Sequence, residues 1–221
     1  MTQDFKQMTA AEARTAFYVD FEGGMDAPPV LMGILRKYTQ QYVVDPAFRS
    51  LEPGYLELRQ AVATVVTRAE KQERRIVSWS GHDLEIVRSL TKEPELIRRF
   101  EARYINGRAL AVRWATRTPG IAKPDTGDLE LYLALIGFDV PESARPGQAG
   151  KTIRSLRPSL DAGRQPTEHQ AQRWTDLLER NRYDCEGMRA VCIRAATDLE
   201  RVDKKARKAR KGRKKRRPGK S

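Results

Sequence analysis

One charged residue in the apolar face of a long helix constrains this chain more than any other feature. From about Thr167 to beyond Leu199, apolar residues recur at spacings of three and four, which predicts a helix. Asp184 lies in the middle of that apolar face. Charged groups are almost never fully buried unless they are paired or bind a metal. The fold must therefore give Asp184 a partner, which is either a base such as Arg36 or Arg113 or a cation shared with other acids.

Two more acids end the first predicted strand. Residues 16–22 (AFYVDFE) alternate so that the apolar side chains at 17, 19 and 21 share one face, and Asp20 and Glu22 share the other. A D-x-E pattern alone is common at ordinary composition. These two acids, however, come directly before a Gly-Gly turn, where neighbouring carboxylates repel each other unless a cation holds them. We interpret Asp20 and Glu22 as metal ligands.

Asp83 follows a short apolar strand, residues 76–80 (IVSWS), and opens the next predicted helix. Asp is strongly preferred at helix N-cap positions, and that role alone would explain it; Glu85 is the competing acid. Together with the three acids above, Asp83 would complete a cluster drawn from a strand, a strand-to-helix junction and a terminal helix. Such a cluster favours two Mg²⁺ or Mn²⁺ ions about 4 Å apart, because these hard cations take oxygen ligands.

The order of predicted elements is βββαβα…α, which is a mixed α/β pattern. The remaining predicted segments are strands at 30–38 and 40–46 with a turn near Thr39, helices at 55–74, 84–90, 93–103 and 128–136, an ambiguous stretch at 109–116, and a long surface connection at 141–167. Three meandering strands, a crossover helix and a parallel fourth strand resemble the ribonuclease H-like arrangement. We expect three antiparallel strands and then parallel strands, flanked by helices.

Three segments carry a more specific resemblance. YVDFEGG, SWSGHDLEIVRSL and RNRYDCEGMRAV, in this order, resemble the three exonuclease motifs of the DEDD nuclease superfamily, which has the ribonuclease H-like fold. They are most similar to the predicted nuclease domains of its RecB-associated branch, whose third motif, roughly Y-N-x-x-D-C-x-A-T, matches Asn181, Asp184 and Cys185. DLELYLALIGFDVP resembles the segment between the second and third motifs, and the resemblance covers about residues 15–195.

The resemblance implies a 3′–5′ exonuclease that hydrolyses DNA or RNA with two Mg²⁺ or Mn²⁺ ions. By that resemblance, the catalytic metal ligands are Asp20 and Glu22 of the first motif, Asp83 of the second and Asp184 of the third.

One position departs from the pattern of that superfamily. Its members place a Tyr four residues, or a His five residues, before the last Asp to position the attacking water, and here those positions hold Arg180 and Glu179. Tyr183 is about 100° away from Asp184 round the helix and is no simple substitute. Glu179, or His169 about four turns earlier, could serve. The alternative is a catalytically inactive nucleic-acid-binding protein that keeps the fold.

Charge separates the body of the chain from its end. The whole chain has 42 Lys+Arg and 29 Asp+Glu, a net charge of +13. Residues 201–221 carry 13 basic residues and one acid, which leaves residues 1–200 at +1. We therefore divide the chain into an N-terminal arm (1–14), a nuclease domain (15–200) and a disordered polybasic tail (201–221), since the tail has too few apolar residues to pack.

The tail is expected to bind nucleic acid through its phosphates, without sequence preference. A solubilising role, nuclear localisation, or a structural protein whose tail coats nucleic acid are the alternatives. The candidate contacts are Lys204, Lys205, Arg207, Lys208, Arg210, Lys211, Arg213, Lys214, Lys215, Arg216 and Arg217.

Several classes are excluded by simpler features. The longest clean apolar stretch, residues 131–138, is too short to span a bilayer, and the first 14 residues lack the apolar core of a secretory signal. Cys185 and Cys192 make no CxxC pair, which argues against a structural zinc site, and they fit a reducing cytosol. We expect a cytoplasmic protein with no membrane partner, and association with the nucleoid through the tail is left open.

Overall fold

The computed structural model describes residues 8–23, 28–51, 54–142 and 149–215. It contains a five-stranded sheet with helices on both faces. The strands are β1 (Phe17–Glu22), β2 (Leu31–Leu35), β3 (Thr39–Val43), β4 (Ile76–Ser78) and β5 (Tyr104–Asn106). The helices are α1 (Ala10–Thr15), α2 (Leu58–Lys71), α3 (Gly81–Thr91), α4 (Pro94–Arg103), α5 (Gly107–Arg117), α6 (Leu129–Ile136), α7 (Ala149–Asp161) and α8 (Glu168–Lys215), with a 3-10 turn at Pro46–Phe48.

The sheet is mixed, with strand order β3-β2-β1-β4-β5. Strands β1, β2 and β3 pair antiparallel, whereas β4 runs parallel to β1 and β5 runs parallel to β4. A short turn suffices between antiparallel strands, and a crossover such as α2 is needed before the parallel strand β4. The predicted α/β class, with antiparallel strands followed by parallel strands and helices on the sheet, is confirmed.

The alternation of side chains along β1 divides the interior into layers. Phe17, Val19 and Phe21 pack in one core with α2, α3 and α4. Tyr18 points to the opposite face, into a core that it shares with α1, α5, α6 and α8. Because side chains alternate along a strand, Asp20 and Glu22 follow Tyr18 onto the α8 face of the sheet.

Asp198, also on α8, is a buried aspartate that is stabilised by structural contacts alone. Asp198 is 7% exposed, accepts a hydrogen bond from the indole of Trp114 at 3.1 Å, and pairs with Arg194 at 2.6 Å. Its carboxylate is thus held by an indole donor and a neighbouring arginine. Asp184, on the same helix, also has an arginine four residues away, but it lies beside two other acids, Asp20 and Glu22.

The prediction of a long surface connection over 141–167 is wrong for its middle part, which forms α7. Its prolines suggested a loop, but α7 accommodates Pro158 and buries Ile153 and Leu156 in a cluster with Trp174. The ambiguous stretch 109–116 is helical within α5, because Asn106 caps that helix by accepting a hydrogen bond from Ala109 N at 2.8 Å. Strand β5, which was not predicted, has only three residues.

Both ends of the described chain differ from the predicted division. Met8 is buried and α1 packs on α8, so the end of the predicted arm 1–14 belongs to the core. Helix α8 continues to Lys215, so the predicted disordered tail is helical as far as that residue, with the side chains of 204–210 exposed. Residues 216–221, with Arg216 and Arg217, and Gly24 of the predicted Gly-Gly turn lie outside the described residues.

None of the helices in the described part of the chain is both long and apolar enough to span a membrane.

Candidate functional site

Three of the four predicted acids meet where β1 ends. One oxygen atom from each of Asp20, Glu22 and Asp184 lies within 4.8 Å of the others. The pleat of β1 presents the first two acids to α8, and the position of Asp184 on the apolar stripe of α8 turns it toward the sheet. We call these three residues the acidic cluster.

Asp83 lies beside the acidic cluster without joining it. The sequence suggested that Asp83 could be the N-cap of α3. It is instead the third residue of that helix, and Ser80 is the N-cap. The Ser80 backbone N–H donates to Asp83 Oδ2 at 3.4 Å, which completes a capping box. Among the described residues, the set of oxygens within 4.8 Å of one another does not include those of Asp83. The competing acid, Glu85, forms an ion pair with Arg88 at 2.6 Å.

A cavity of about 660 Å³ opens beside these acids. Its lining includes Asp20, Asp83 and Asp184, together with Trp79 and Arg108. The indole of Trp79 donates to the Gly127 carbonyl at 2.8 Å, which fixes the ring in the wall. The cavity is therefore open to a ligand that could reach three carboxylates and an exposed arginine together.

Asp20 is oriented by a hydrogen-bond chain from α8. Asn181 Nδ2 donates to Asp20 Oδ2 at 2.8 Å, and Gln41 Nε2 donates to Asn181 Oδ1 at 3.0 Å. Asn181 is fully buried, and it reaches the sheet because Gly33 stands opposite Asp20 in β2. A Cβ atom at Gly33 would overlap the Asn181 side chain. The glycine inside the strand thus allows the close approach that fixes Asp20.

Arg180 is the base that partners Asp184. Its Nε lies 3.4 Å from Glu22 Oε1 and 3.4 Å from Asp184 Oδ2. The sequence offered Arg36 as one possible partner of Asp184, but Arg36 is exposed and does not fill that role. Residues four apart on a helix are neighbours, which is why Arg180 and Asp184 share one face.

The other candidates for a water-positioning role are less well placed. His169 is exposed and lies 15 residues before Asp184 in α8, about 22 Å along the axis, so it cannot serve the site. Tyr183 is covered by the Arg182 guanidinium, 4.5 Å from its ring centre. Glu179, five residues before Asp184, lies about 140° from it round the helix.

Burial and mutual repulsion disfavour ionisation of these carboxylates in the metal-free protein. Burial, reinforced by the charge of Asp83, raises the pKa of Asp20 to about 7. Burial and the charge of Asp20 raise the pKa of Asp184 to about 8 and that of Glu22 well above its usual value. Burial also raises the pKa of Asp83 to about 6. Burial lowers the pKa of Arg180, but Glu22 and Asp184 more than offset this, so the net change is upward.

The acidic cluster fits a hard divalent cation. Its donors are all carboxylate oxygens, the ligands that Mg²⁺ and Mn²⁺ prefer. Glu22 is 6% exposed, and among the described residues its Oε1 accepts no hydrogen bond, although it lies 3.4 Å from Arg180 Nε. Three buried or partly buried carboxylates beside one guanidinium leave uncompensated negative charge, which a divalent cation would neutralise. Cys185, the nearest soft ligand in sequence, is fully buried, and burial raises the pKa of its thiol.

Sequence reasoning missed three charged residues at the site, Arg180, Glu130 and Arg108. Arg180 was noted as a departure from a motif and not as a partner of the cluster. Glu130, on α6, lines the cavity, and its charge contributes to the raised pKa of Asp184. The sequence contains an indication of this role, because Glu130 is a charged residue within the otherwise apolar segment LELYLALI.

Comparison of the chain with protein-family models, with curated proteins and with solved structures found no match.

Proposed function

We propose that this protein is a divalent-metal-dependent nuclease, acting as a 3′–5′ exonuclease on DNA or RNA. The observation that carries the proposal is the convergence of Asp20, Glu22 and Asp184 beside an open cavity. The sheet order β3-β2-β1-β4-β5, with β1 to β3 antiparallel, supports a ribonuclease H-like fold. A run of basic residues on α8 adds a second feature suited to a polyphosphate substrate.

Different residues of the site would have different roles in such a reaction. Asp20, Glu22 and Asp184 would hold the cation, and Asn181 keeps Asp20 turned toward it. A bound divalent ion supplies an acidified water and stabilises charge on the phosphodiester. The Asp83 carboxylate lines the cavity and keeps its place through the capping box of α3. Arg108, exposed in the cavity wall, offers a guanidinium to a phosphate group.

A specific observation favours the second candidate, a nucleic-acid-binding protein without catalysis. Arg180 stands where a water-positioning Tyr would stand in the superfamily that the motifs resemble, and it pairs with two of the three clustered acids. In that case the chain would bind nucleic acid through its cavity and α8 but would leave the phosphodiester intact.

Cleavage of 5′-labelled single- and double-stranded DNA and RNA, with Mn²⁺ or with EDTA, separates the two candidates. The nuclease proposal predicts a ladder of shortened products in Mn²⁺ and intact substrate in EDTA. The ladder also shows the polarity, because a 3′–5′ exonuclease shortens a 5′-labelled strand stepwise. Tight binding without cleavage in either condition would contradict the nuclease and favour the binding protein.

The basic end of α8 should control the salt dependence of binding. Lys204 lies 20 residues beyond Asp184 on the same helix, about 30 Å along the axis, which corresponds to roughly nine base pairs of duplex. Truncation after Asp203 keeps the Asp203–Arg117 ion pair at 2.6 Å and removes the basic run. We expect the slope of log affinity against log salt to fall by about 0.9 for each phosphate that the truncated chain no longer neutralises.

The control substrate is an oligonucleotide of about six nucleotides, which is too short to extend from the acidic cluster to the basic run. Its cleavage should be nearly equal for the full chain and the truncated chain. A salt slope that does not change on a 30-base-pair duplex would show that the basic run does not contact the substrate.

A further inference from the structure

Arg180 occupies the interior of the acidic cluster. Its side chain is 18% exposed, as is that of Asp184, and the Glu22 side chain is 8% exposed. One nitrogen, Nε, is 3.4 Å from an oxygen of each of these two acids. The guanidinium therefore bridges a strand residue and a helix residue that would both be ligands of the proposed metal site.

The formal charges of the cluster suit one divalent ion better than two. Asp20, Glu22 and Asp184 contribute three negative charges when ionised, and Arg180 contributes one positive charge, so the net charge is minus two. One divalent ion neutralises that charge. Two such ions would leave an excess of two positive charges in a partly desolvated space, where Coulomb interactions are strong. Adding the Asp83 carboxylate would still leave an excess of one, and two ions would reach neutrality only if Glu130 on α6 contributed its charge as well.

The number of available oxygen ligands also favours one ion over two. A second ion would need oxygen ligands besides those already shared by the first, and Asp83 is the nearest further acid of the predicted set. Its Oδ2 accepts from the Ser80 N–H and lies outside the oxygens that converge within 4.8 Å. An arginine keeps its charge at any working pH, so Arg180 cannot leave the cluster by losing a proton.

We propose that Arg180 takes the place of a second metal ion, so that the acidic cluster holds one divalent cation and one guanidinium. In this role Arg180 is a positioning residue, which keeps Glu22 and Asp184 together and neutralises the charge that the single ion leaves. The inference rests on the proposed metal site, and it replaces the two ions that the sequence suggested with one ion and a fixed cation.

The number of Mn²⁺ ions bound per chain tests this directly. Equilibrium dialysis, with free Mn²⁺ measured by electron paramagnetic resonance, should give one tightly bound ion for the full-length wild-type protein. Arg180→Gln should bind two, because removal of the guanidinium restores the negative charge and the space and frees Glu22 Oε1 and Asp184 Oδ2 to bind a second ion. Arg180→Lys, which keeps the charge, should bind one. The matched control is Arg182→Gln, since Arg182 pairs with Glu186 at 3.6 Å on the same helix, outside the cluster; it should also bind one.

The numbers of bound ions distinguish a failure of the proposed role of Arg180 from a failure of the proposed metal site. Two ions on the wild type, or one ion on Arg180→Gln, would overturn the role of Arg180 while leaving the metal site in place. No ion on the wild type would overturn the metal site itself and the inference with it. If Arg180→Gln does not fold, Arg180→Met keeps the stem of the side chain and should also bind two ions; one ion on Arg180→Met would then overturn the role of Arg180.

Discussion

Asp184→Asn should lower the rate of Mn²⁺-dependent cleavage by roughly a thousandfold. The substitution keeps the size of the side chain but replaces one of three convergent carboxylates with a neutral amide. Asn is a weaker ligand than a carboxylate for a hard cation, and the cluster also loses a third of its negative charge. Single-turnover cleavage of a 5′-labelled oligonucleotide at saturating enzyme isolates this effect from binding through α8.

The matched control is Asp176→Asn. Asp176 lies two turns earlier on α8 and accepts a hydrogen bond from Gln172 at 2.9 Å, away from the cluster. Its substitution should leave the cleavage rate within about twofold of wild type. Robust cleavage by Asp184→Asn would contradict the assignment of Asp184 as a metal ligand.

The metal-free protein should lose stability as the pH rises from 5 to 8. Burial raises the pKa of Asp20 to about 7 and that of Asp184 to about 8, both above their values in an unfolded chain. Between about pH 4 and pH 8 the folded state therefore binds more protons than the unfolded state, so the free energy of unfolding falls with rising pH. The expected loss is on the order of a few kcal/mol, or roughly 10 °C in Tm.

Thermal unfolding followed by circular dichroism in EDTA at pH 5 and pH 8 measures this loss. Glu12 and Glu70 have lowered pKa values and act in the opposite direction, but their contribution is complete near pH 5, where the comparison starts. Mn²⁺ should restore Tm at pH 8, because the ion binds the ionised carboxylates of the folded state.

Two variants sharpen the stability prediction. Asp184→Asn should melt at a higher temperature than wild type in EDTA at pH 8 and respond less to Mn²⁺, because it removes a buried charge that the metal-free protein does not compensate fully. Asp176→Asn should behave as wild type. A wild-type Tm that rises between pH 5 and pH 8 in EDTA would contradict the account of the cluster.

The parts of the site that could be predicted depend on local periodicity. The period of two in β1 places Asp20 and Glu22 on one face, and the period of 3.6 in α8 places Asp184 on the sheet side; both follow from backbone geometry alone. The strand pairing also follows from short and long connections. These patterns bring three acids toward one edge of the sheet without knowledge of any tertiary contact.

The rest of the site depends on contacts between distant segments or on competition between roles. In the sequence, Arg180 is recognised only as a replacement for the Tyr of the third motif. Its ion pair with Glu22 joins α8 to β1, and such a contact between distant segments cannot be predicted from the sequence. Asp83 fits an N-cap, but Ser80 can accept the hydrogen bond from the helix N-terminus and so competes for that position. Pro158 suggests a loop, but the burial of Ile153 and Leu156 against α8 outweighs one missing backbone hydrogen bond.

An anomalous difference map from a crystal of the wild-type protein grown with Mn²⁺ tests the central claim most directly. The account predicts a strong peak with a carboxylate oxygen of Asp20, Glu22 and Asp184 each between about 2.0 and 2.6 Å away. The Arg180 guanidinium should remain beside Glu22 and Asp184 in the same map. A map with no peak among these three carboxylates, at a Mn²⁺ concentration that supports cleavage, would contradict the metal centre.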